Sequence, residues 1–361
     1  ITIDCPVFKQ CGSCSLRHIN YEAELKEKEN WVKDAFVRLG GFSDINVSPI
    51  LRSPLENGYR NKAQFPIEKN IFGFYAPRSH RVIDASNCKL HPKEFLDIAE
   101  TFCKYADCDI RHLFIRKGFV TNEIMVCIVS KTENIKNKEL IVKALTEKFS
   151  NIKSIILNIN QKDTNVILGE KEIVLFGKST IKDTLCGIDV ELSAKSFYQV
   201  NHEGAELLYN TAKSLANLNK NENLLDLYCG TGTIGLMMAN SVKSVTGIEV
   251  VPQAIENAKE NAKRNNIKNA NFICADASAA NGNFDVVVLD PPRKGCTAET
   301  LEEVTKINPQ RIVYISCNPS TCARDCKILS NNYMIELVQP VDMFPRTNHV
   351  ETVVLMSRVD R

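Results

Sequence analysis

Leu225-Asp226-Leu227-Tyr228-Cys229-Gly230-Thr231-Gly232-Thr233-Ile234-Gly235 decides how the rest of the chain is read. An apolar run ends in closely spaced glycines, and a helical pattern follows. Glycines at such a turn let the backbone pass close to a ligand and open a helix whose N-terminal amides face it. Glu249 closes the next apolar run, 19 positions after Gly230. A carboxylate there can accept hydrogen bonds from the two hydroxyls of a ribose. Taken alone, Gly-x-Gly-x-x-Gly with an acid fits a nicotinamide dinucleotide as well as any other adenosine cofactor.

Outward from this turn, apolar strand patterns at residues 223–227, 245–248, 271–274, 284–289 and 311–315 alternate with helical ones at 252–265 and 299–306. The run Val286-Val287-Val288-Leu289 is apolar on both faces, as in a parallel sheet covered by helices. Residues 333–338 and 351–356 add strands at one edge. This predicts a doubly wound, mostly parallel α/β domain over 188–361. Ahead of it, residues 1–187 read as a mixed α+β domain. Its helix at 21–39 ends at the Gly40-Gly41 pair and can pack on the following domain. Strand-like runs occupy 71–75, 112–116 and 124–129.

Composition narrows the classes. The 361 residues suit two or three domains, and 44% hydrophobic residues exclude whole-chain disorder. No apolar run is long enough to span a membrane, and no signal-peptide pattern opens the chain. Residues 51–150 carry 17 Lys+Arg against 12 Asp+Glu, whereas residues 201–361 carry 16 against 18. A basic front suits a polyanion partner. Fourteen cysteines in a chain that is neither short nor secreted argue for reduced thiols and against a disulfide framework.

Cys317 follows the strand pattern 311–315 and precedes a helix start, so it sits at the sheet edge where open α/β folds bind ligands. The helix dipole there predicts a thiolate. Cys229 and Cys274 read as small buried residues. At the front, Cys5, Cys11 and Cys14 form a Cys-x5-Cys-x2-Cys array, and Cys88 is the best fourth ligand. Four cysteines suit zinc or an iron–sulfur cluster, and spacing alone leaves both open. Tyr59-Arg60-Asn61-Lys62-Ala63-Gln64-Phe65 interleaves basic and aromatic residues, as an RNA-contacting strand does.

Leu289-Asp290-Pro291-Pro292-Arg293, together with Asp226 and Ala275-Asp276, resembles the class I methyltransferases that use S-adenosylmethionine. Four motifs sharpen the likeness: Ser196-Phe197-Tyr198-Gln199-Val200-Asn201, Asp290-Pro291-Pro292-Arg293-Lys294-Gly295, Ser316-Cys317-Asn318-Pro319 and His349-Val350-Glu351-Thr352. Together with the front cysteines, in this order, they resemble the RNA uracil-5-methyltransferase family from Cys5 to the C-terminus. The resemblance implies a Rossmann-like methyltransferase domain preceded by a domain carrying a 4Fe-4S cluster on Cys5, Cys11, Cys14 and Cys88. It implies Cys317 as nucleophile and Glu351 as base. S-adenosylmethionine would be held by Gln199 at its methionine part, Glu249 at the ribose, and Tyr228 and Asp276 at the adenine. Gly230 and Thr233 would make the glycine-turn contacts, and Asp290 would lie near the methyl.

Phe197 is a candidate to stack on the target base, with an ordinary core aromatic as the alternative. The implied partner is RNA, with ribosomal RNA favoured and transfer RNA possible. The implied enzyme is a cytoplasmic monomer. Many relatives carry a small β-barrel domain ahead of the array, which this sequence does not include. Two other classes remain open. One is an amino-group methyltransferase, although Arg293 stands where those place an aromatic. The other is a non-catalytic iron–sulfur protein that binds RNA through a relic fold.

Overall fold

The computed structural model describes residues 3–162 and 164–359, so the outer ends of the two expected domains, residues 1 and 361, lie outside it. The chain forms two units. The first comprises residues 1–19, 55–184 and 190–202, and the second residues 20–54, 185–189 and 203–361. This differs from the expected single cut after Gly187. The helix near residue 21 belongs to the second unit, and the segment carrying Phe197 and Gln199 belongs to the first. Turn signals at Cys186-Gly187 mark a hairpin, β8 (Ile181–Leu185) and β9 (Ile188–Leu192). A chain that passes between units more than once leaves no single composition break to find.

The first unit opens with a short helical turn, α1 (Phe8–Cys11). Its sheet has the order β3-β2-β1-β4-β5-β6-β7. The strands are β1 (Lys62–Glu68), β2 (Ile71–Tyr75), β3 (Val82–Asp84), β4 (Ile110–Lys117), β5 (Ile124–Ser130), β6 (Ile152–Ile159) and β7 (Lys171–Gly177). All neighbours are antiparallel except β5 and β6. Every residue of β5 is buried, in keeping with a sequence that is apolar from Ile124 to Val129 and ends in the small Ser130. Helices α3 (Lys93–Cys103) and α4 (Lys138–Lys148) cover the sheet, their Phe95, Phe102, Ile141 and Leu145 packing with Phe65, Leu113 and Val126.

The second unit is the doubly wound domain. Its order is β12-β11-β10-β13-β14-β16-β15, over β10 (Asn223–Leu227), β11 (Ser244–Glu249), β12 (Ala270–Cys274), β13 (Val286–Leu289), β14 (Arg311–Ser316), β15 (Tyr333–Val341) and β16 (Glu351–Arg358). The first five run parallel, and β16 and β15 close the edge antiparallel. The crossover helices are α6 (Thr233–Ala239), α7 (Pro252–Arg264), α8 (Ala298–Ile307) and α9 (Pro319–Leu329), with α5 (His202–Ala216) preceding the sheet. Helix α2 (Tyr21–Asp34) continues as a wider π-helical turn to Gly40. It inserts Val32, Ala35 and Phe36 into this unit's core beside Cys322, Ala323 and Cys326 of α9. Among the described residues no helix is long and apolar enough to cross a membrane.

Candidate active site

Strand order reverses between β10 and its two neighbours, β11 and β13. In such sheets the crevice beyond the carboxyl ends at this switch point receives the ligand. The chain leaves β10 through Tyr228 at φ +64° and Gly230 at φ +53°. A Cβ on Gly230 meets nothing within 4 Å, so the backbone there faces open space. Gly232 and Gly235 do different work. A Cβ on Gly232 would stand 2.7 Å from the Phe272 ring, and one on Gly235 2.9 Å from the Asp226 carboxylate. These two glycines allow close packing of helix on sheet, whereas Gly230 allows approach. Thr233 begins α6 and its hydroxyl faces that of Thr231 at 3.5 Å.

Glu249 ends β11 with both carboxylate oxygens oriented by backbone donors. Val251 N donates at 2.9 Å and Gly230 N at 3.3 Å, leaving free lone pairs on each oxygen. Asp276 caps a short 3-10 turn, accepting from Ser278 N and Oγ at 2.9 and 2.7 Å. These bonds hold its carboxyl below the usual range. The Tyr228 hydroxyl lies 3.3 Å from Thr300 Oγ1. Exposed apolar side chains accompany these acids: Val250, Val251 and Ile273. An apolar group directly after the ribose-type acid suits a flat base. The dipeptide Val250-Val251, apolar where a polar turn is expected, was the available sequence signal for it. Cys274, expected to be buried, is exposed, because β12 is the edge strand of the sheet.

A row of acids and one thiol follows the same sheet edge. Asp290 comes directly after β13, Cys317 after β14, and Glu351 opens β16. Ser316 lies opposite Thr352, which sets Cys317 and Glu351 beside each other on adjacent antiparallel chains. Burial pushes the Glu351 carboxyl up to about 8, with help from Asp290. Burial alone takes Asp290 to about 7. Asp226, which accepts from Gly235 N at 2.9 Å, is likewise raised to about 7 by burial. Burial, then Glu351 and Asp290, push the Cys317 thiol up to about 11, against a smaller opposing effect of Arg293. The sequence predicts a thiolate from the helix start. The structure gives a thiol at neutral pH, because lost hydration and two neighbouring carboxyls outweigh the dipole.

The loop carrying Asp290 and Arg293 is bolted to α9. Asn318 Nδ2 and Thr321 Oγ1 donate to Arg293 O at 3.2 and 3.3 Å. Arg324 Nη2 donates to Lys294 O, while the buried Asp325 accepts from Cys296 N and the Tyr314 hydroxyl. The residues flanking Cys317 therefore also hold the Asp-Pro-Pro loop.

The first unit holds the remaining sites. Cys5, Cys11, Cys14 and Cys88 all line one partly open cavity of about 30 Å³, with Phe8, Phe74 and Leu90. All four are free thiols. Burial raises Cys14, opposed by a hydrogen bond from Arg17. Burial also takes Cys88 to about 11, opposed by the backbone N–H groups of Leu90 and His91. Among the described residues no three ligating side chains are gathered to hold one metal ion. Gln199 lies on a loop tied down by Asn61 Nδ2, which donates to its carbonyl at 2.8 Å. The buried Arg116 donates to Ser193 O and Ser196 O of the same loop. Phe197 between them is 74% exposed, which rules out the core reading. The expected RNA-contacting strand is corrected in part. Tyr59 and Phe65 are fully buried, because that run alternates into the core, and only Arg60, Lys62 and Gln64 keep half-buried side chains.

The sheet order and the acid-lined switch point define a class I methyltransferase domain. Residues 218–345 match a family model described as "Methyltransferase domain", and residues 20–281 match one described as "tRNA (Uracil-5-)-methyltransferase". The chain belongs to the RNA uracil-5-methyltransferase family. An uncharacterized RNA methyltransferase of Bacillus cereus is 42% identical to it over 99% of this chain and 83% of its own length. One of Staphylococcus aureus is 41% identical over 98% and 83%. The crystal structure of Pyrococcus abyssi tRNA (uracil-54, C5)-methyltransferase in complex with S-adenosyl-L-homocysteine matches with a TM-score of 0.79. It is 30% identical, over 96% of this chain and 86% of that one.

Proposed function

We propose that this protein methylates carbon 5 of a uridine in RNA, using S-adenosylmethionine, through a covalent bond between Cys317 and the base. The observation that carries this reading is the adjacency of Cys317 and Glu351 on neighbouring strands, beside Asp290, at the sheet edge that holds the glycine turn. An amino-group methyltransferase needs neither thiol nor base there.

The residues present fit the donor. Gly230 faces open space, Glu249 offers both oriented oxygens, and Val250, Val251 and Ile273 offer an apolar wall. Tyr228, Gly230, Thr233, Glu249, Asp276 and Asp290 would hold it, with Gln199 at the methionine end. When bound, the sulfonium supplies an electrophilic methyl and a positive charge. Asp290 and Glu351, whose ionisation burial opposes, ionise more readily near a cation.

Carbon 5 of uracil is too electron-poor to take a methyl directly. Cys317 gives its proton to solvent and adds its sulfur to carbon 6, and the ring electrons move to give an enolate that is nucleophilic at carbon 5. After carbon 5 has gained the methyl, the Glu351 carboxylate removes the proton left there. Those electrons form the 5,6 double bond, the carbon–sulfur bond breaks, and Cys317 leaves as thiolate. Phe197 offers an exposed face for stacking the extruded base.

Cys5, Cys11, Cys14 and Cys88 would hold a 4Fe-4S cluster. Four thiols line one cavity, with Arg17 and two backbone amides beside sulfur, and such donors suit the sulfur ligands of a cluster. The cluster would staple the irregular start of the chain. The cysteine array favours ribosomal RNA as substrate, while the Pyrococcus neighbour favours transfer RNA. Incubation with RNA bearing 5-fluorouridine and the methyl donor, followed by denaturing mass spectrometry, tests the chemistry. Fluorine cannot leave as a proton does, so an adduct should be trapped on Cys317. An adduct on another cysteine, or none with an RNA that the enzyme methylates, contradicts it. Running ribosomal and transfer RNA in parallel decides the substrate.

A further inference from the structure

Helix α2 lies about three hundred residues ahead of Glu351 in sequence, yet it carries a buried ion cluster that ends beside it. Glu24, Lys28 and Asp342 are completely buried. Lys28 Nζ donates to Glu24 at 2.8 Å, to Asp342 at 2.7 Å and to Phe344 O at 3.1 Å. The Tyr21 hydroxyl donates to the other Asp342 oxygen at 2.7 Å and accepts from Ser53 N at 3.0 Å. Glu24 accepts from Arg346 N at 2.6 Å and pairs with its guanidinium at 3.6 Å, and that guanidinium also lies over the Tyr21 ring. Two acids and two bases therefore balance in a dry site.

A cluster of this kind is weak evidence for stability, because apolar residues of the same volume hold a core equally well. What it fixes is one arrangement of the chain. Here the chain in question is residues 342–350, the connection between β15 and β16. Asp342, Phe344 and Arg346 are each held by α2, at alternate positions. Val341, the residue before Asp342, lies opposite Glu351 in the β15–β16 ladder. The loop thus leaves and returns within one residue of Glu351, and α2 holds its first half.

We propose that the Glu24–Lys28–Asp342–Arg346 cluster, with Tyr21, positions Glu351 for removing the carbon-5 proton. The inference rests on the proposed chemistry and deepens it. These are positioning residues. Loosening them slows the last step, in which the carbon-5 proton leaves and the carbon–sulfur bond breaks, but spares formation of that bond and methyl transfer.

The test uses Asp342→Asn and Tyr21→Phe in the full chain, with substrate RNA and methyl donor, in single turnover. S-adenosylmethionine affinity should stay within about twofold of wild type. A methylated protein–RNA adduct stable to denaturation should accumulate, resolving about 10- to 100-fold more slowly in Asp342→Asn and a few-fold more slowly in Tyr21→Phe. Tyr21→Phe keeps all four charges paired, so it decides the matter if Asp342→Asn fails to fold. Turnover that falls without such an adduct, or remains unchanged in both variants, overturns the proposal. Failure of the wild-type protein to form any adduct with 5-fluorouridine RNA is a separate result, and would remove the chemistry on which the proposal depends.

Discussion

The partly buried front cysteines and the partly buried Cys317 have surroundings that are opposite in character. In the first unit, Cys14 and Cys88 have donors beside them: the Arg17 guanidinium and the N–H groups of Leu90 and His91. In the second unit, Cys317 has acids beside it, Glu351 and Asp290, which outweigh its own backbone N–H and Arg293. Donors stabilise sulfur that stays negative, as a permanent ligand must. Acids keep sulfur protonated until something changes the local charge. Under the proposed function the same element would serve as a lasting ligand in one place and bond transiently in the other.

The largest effect separates the two groups outright. Cys317→Ala should abolish methylation, by at least ~10³-fold in kcat, whereas Cys88→Ala should reduce it far less and release iron, read by activity and by metal analysis of the purified proteins. Equal losses of activity from both would erase the distinction. Next comes Glu351→Gln, expected to lower turnover by about 10²- to 10⁴-fold while protein–RNA adduct builds up on denaturing gels. A loss with no adduct would move the base elsewhere.

Alkylation of the free enzyme by iodoacetamide probes the thiol directly. The Cys317 peptide should be modified slowly at pH 7 and about tenfold faster per pH unit toward its value of about 11. A plateau near pH 7 would return the thiolate that the helix start alone predicts. The smallest effect is on stability. The folded carboxyls of Asp290 and Glu351 titrate near 7 and 8, above an unfolded value of ~4. Their stabilising contribution is thus complete below about pH 4 and lost as pH rises through 7–8. Glu351→Gln should then raise Tm by a few degrees at pH 8.5 and change it little at pH 4.5. A lower Tm at pH 8.5 would mean that the carboxylate is satisfied rather than strained.

Much of this was readable beforehand, for identifiable reasons. The parallel core announced itself because strands buried on both faces have no polar positions, as in Val286–Leu289. The glycine turn and Cys317 could be located because strand ends are fixed by those runs, whereas Asp290 and Glu351 were singled out by the family resemblance. Burial of polar side chains was not readable. Glu24 and Lys28 stand four apart on a helix, the pattern of a solvated pair, and nothing local tells that Asp342 completes them inside the core. Tyr59 and Phe65 mislead for the same reason, since an aromatic beside a lysine looks alike on either face of a strand. The interleaved division of the chain was hidden as well. Segments 20–54 and 190–202 join their units through contacts at long sequence separation.

In the proposed chemistry Cys317 bonds to the base before Glu351 takes its proton. RNA carrying tritium at uracil carbon 5 follows that proton directly. In single turnover the wild-type protein should release one tritium for each methyl gained, Cys317→Ala should do neither, and Glu351→Gln should gain methyl while retaining tritium on the bound RNA. Stoichiometric methylation and tritium release by Cys317→Ala would contradict the account.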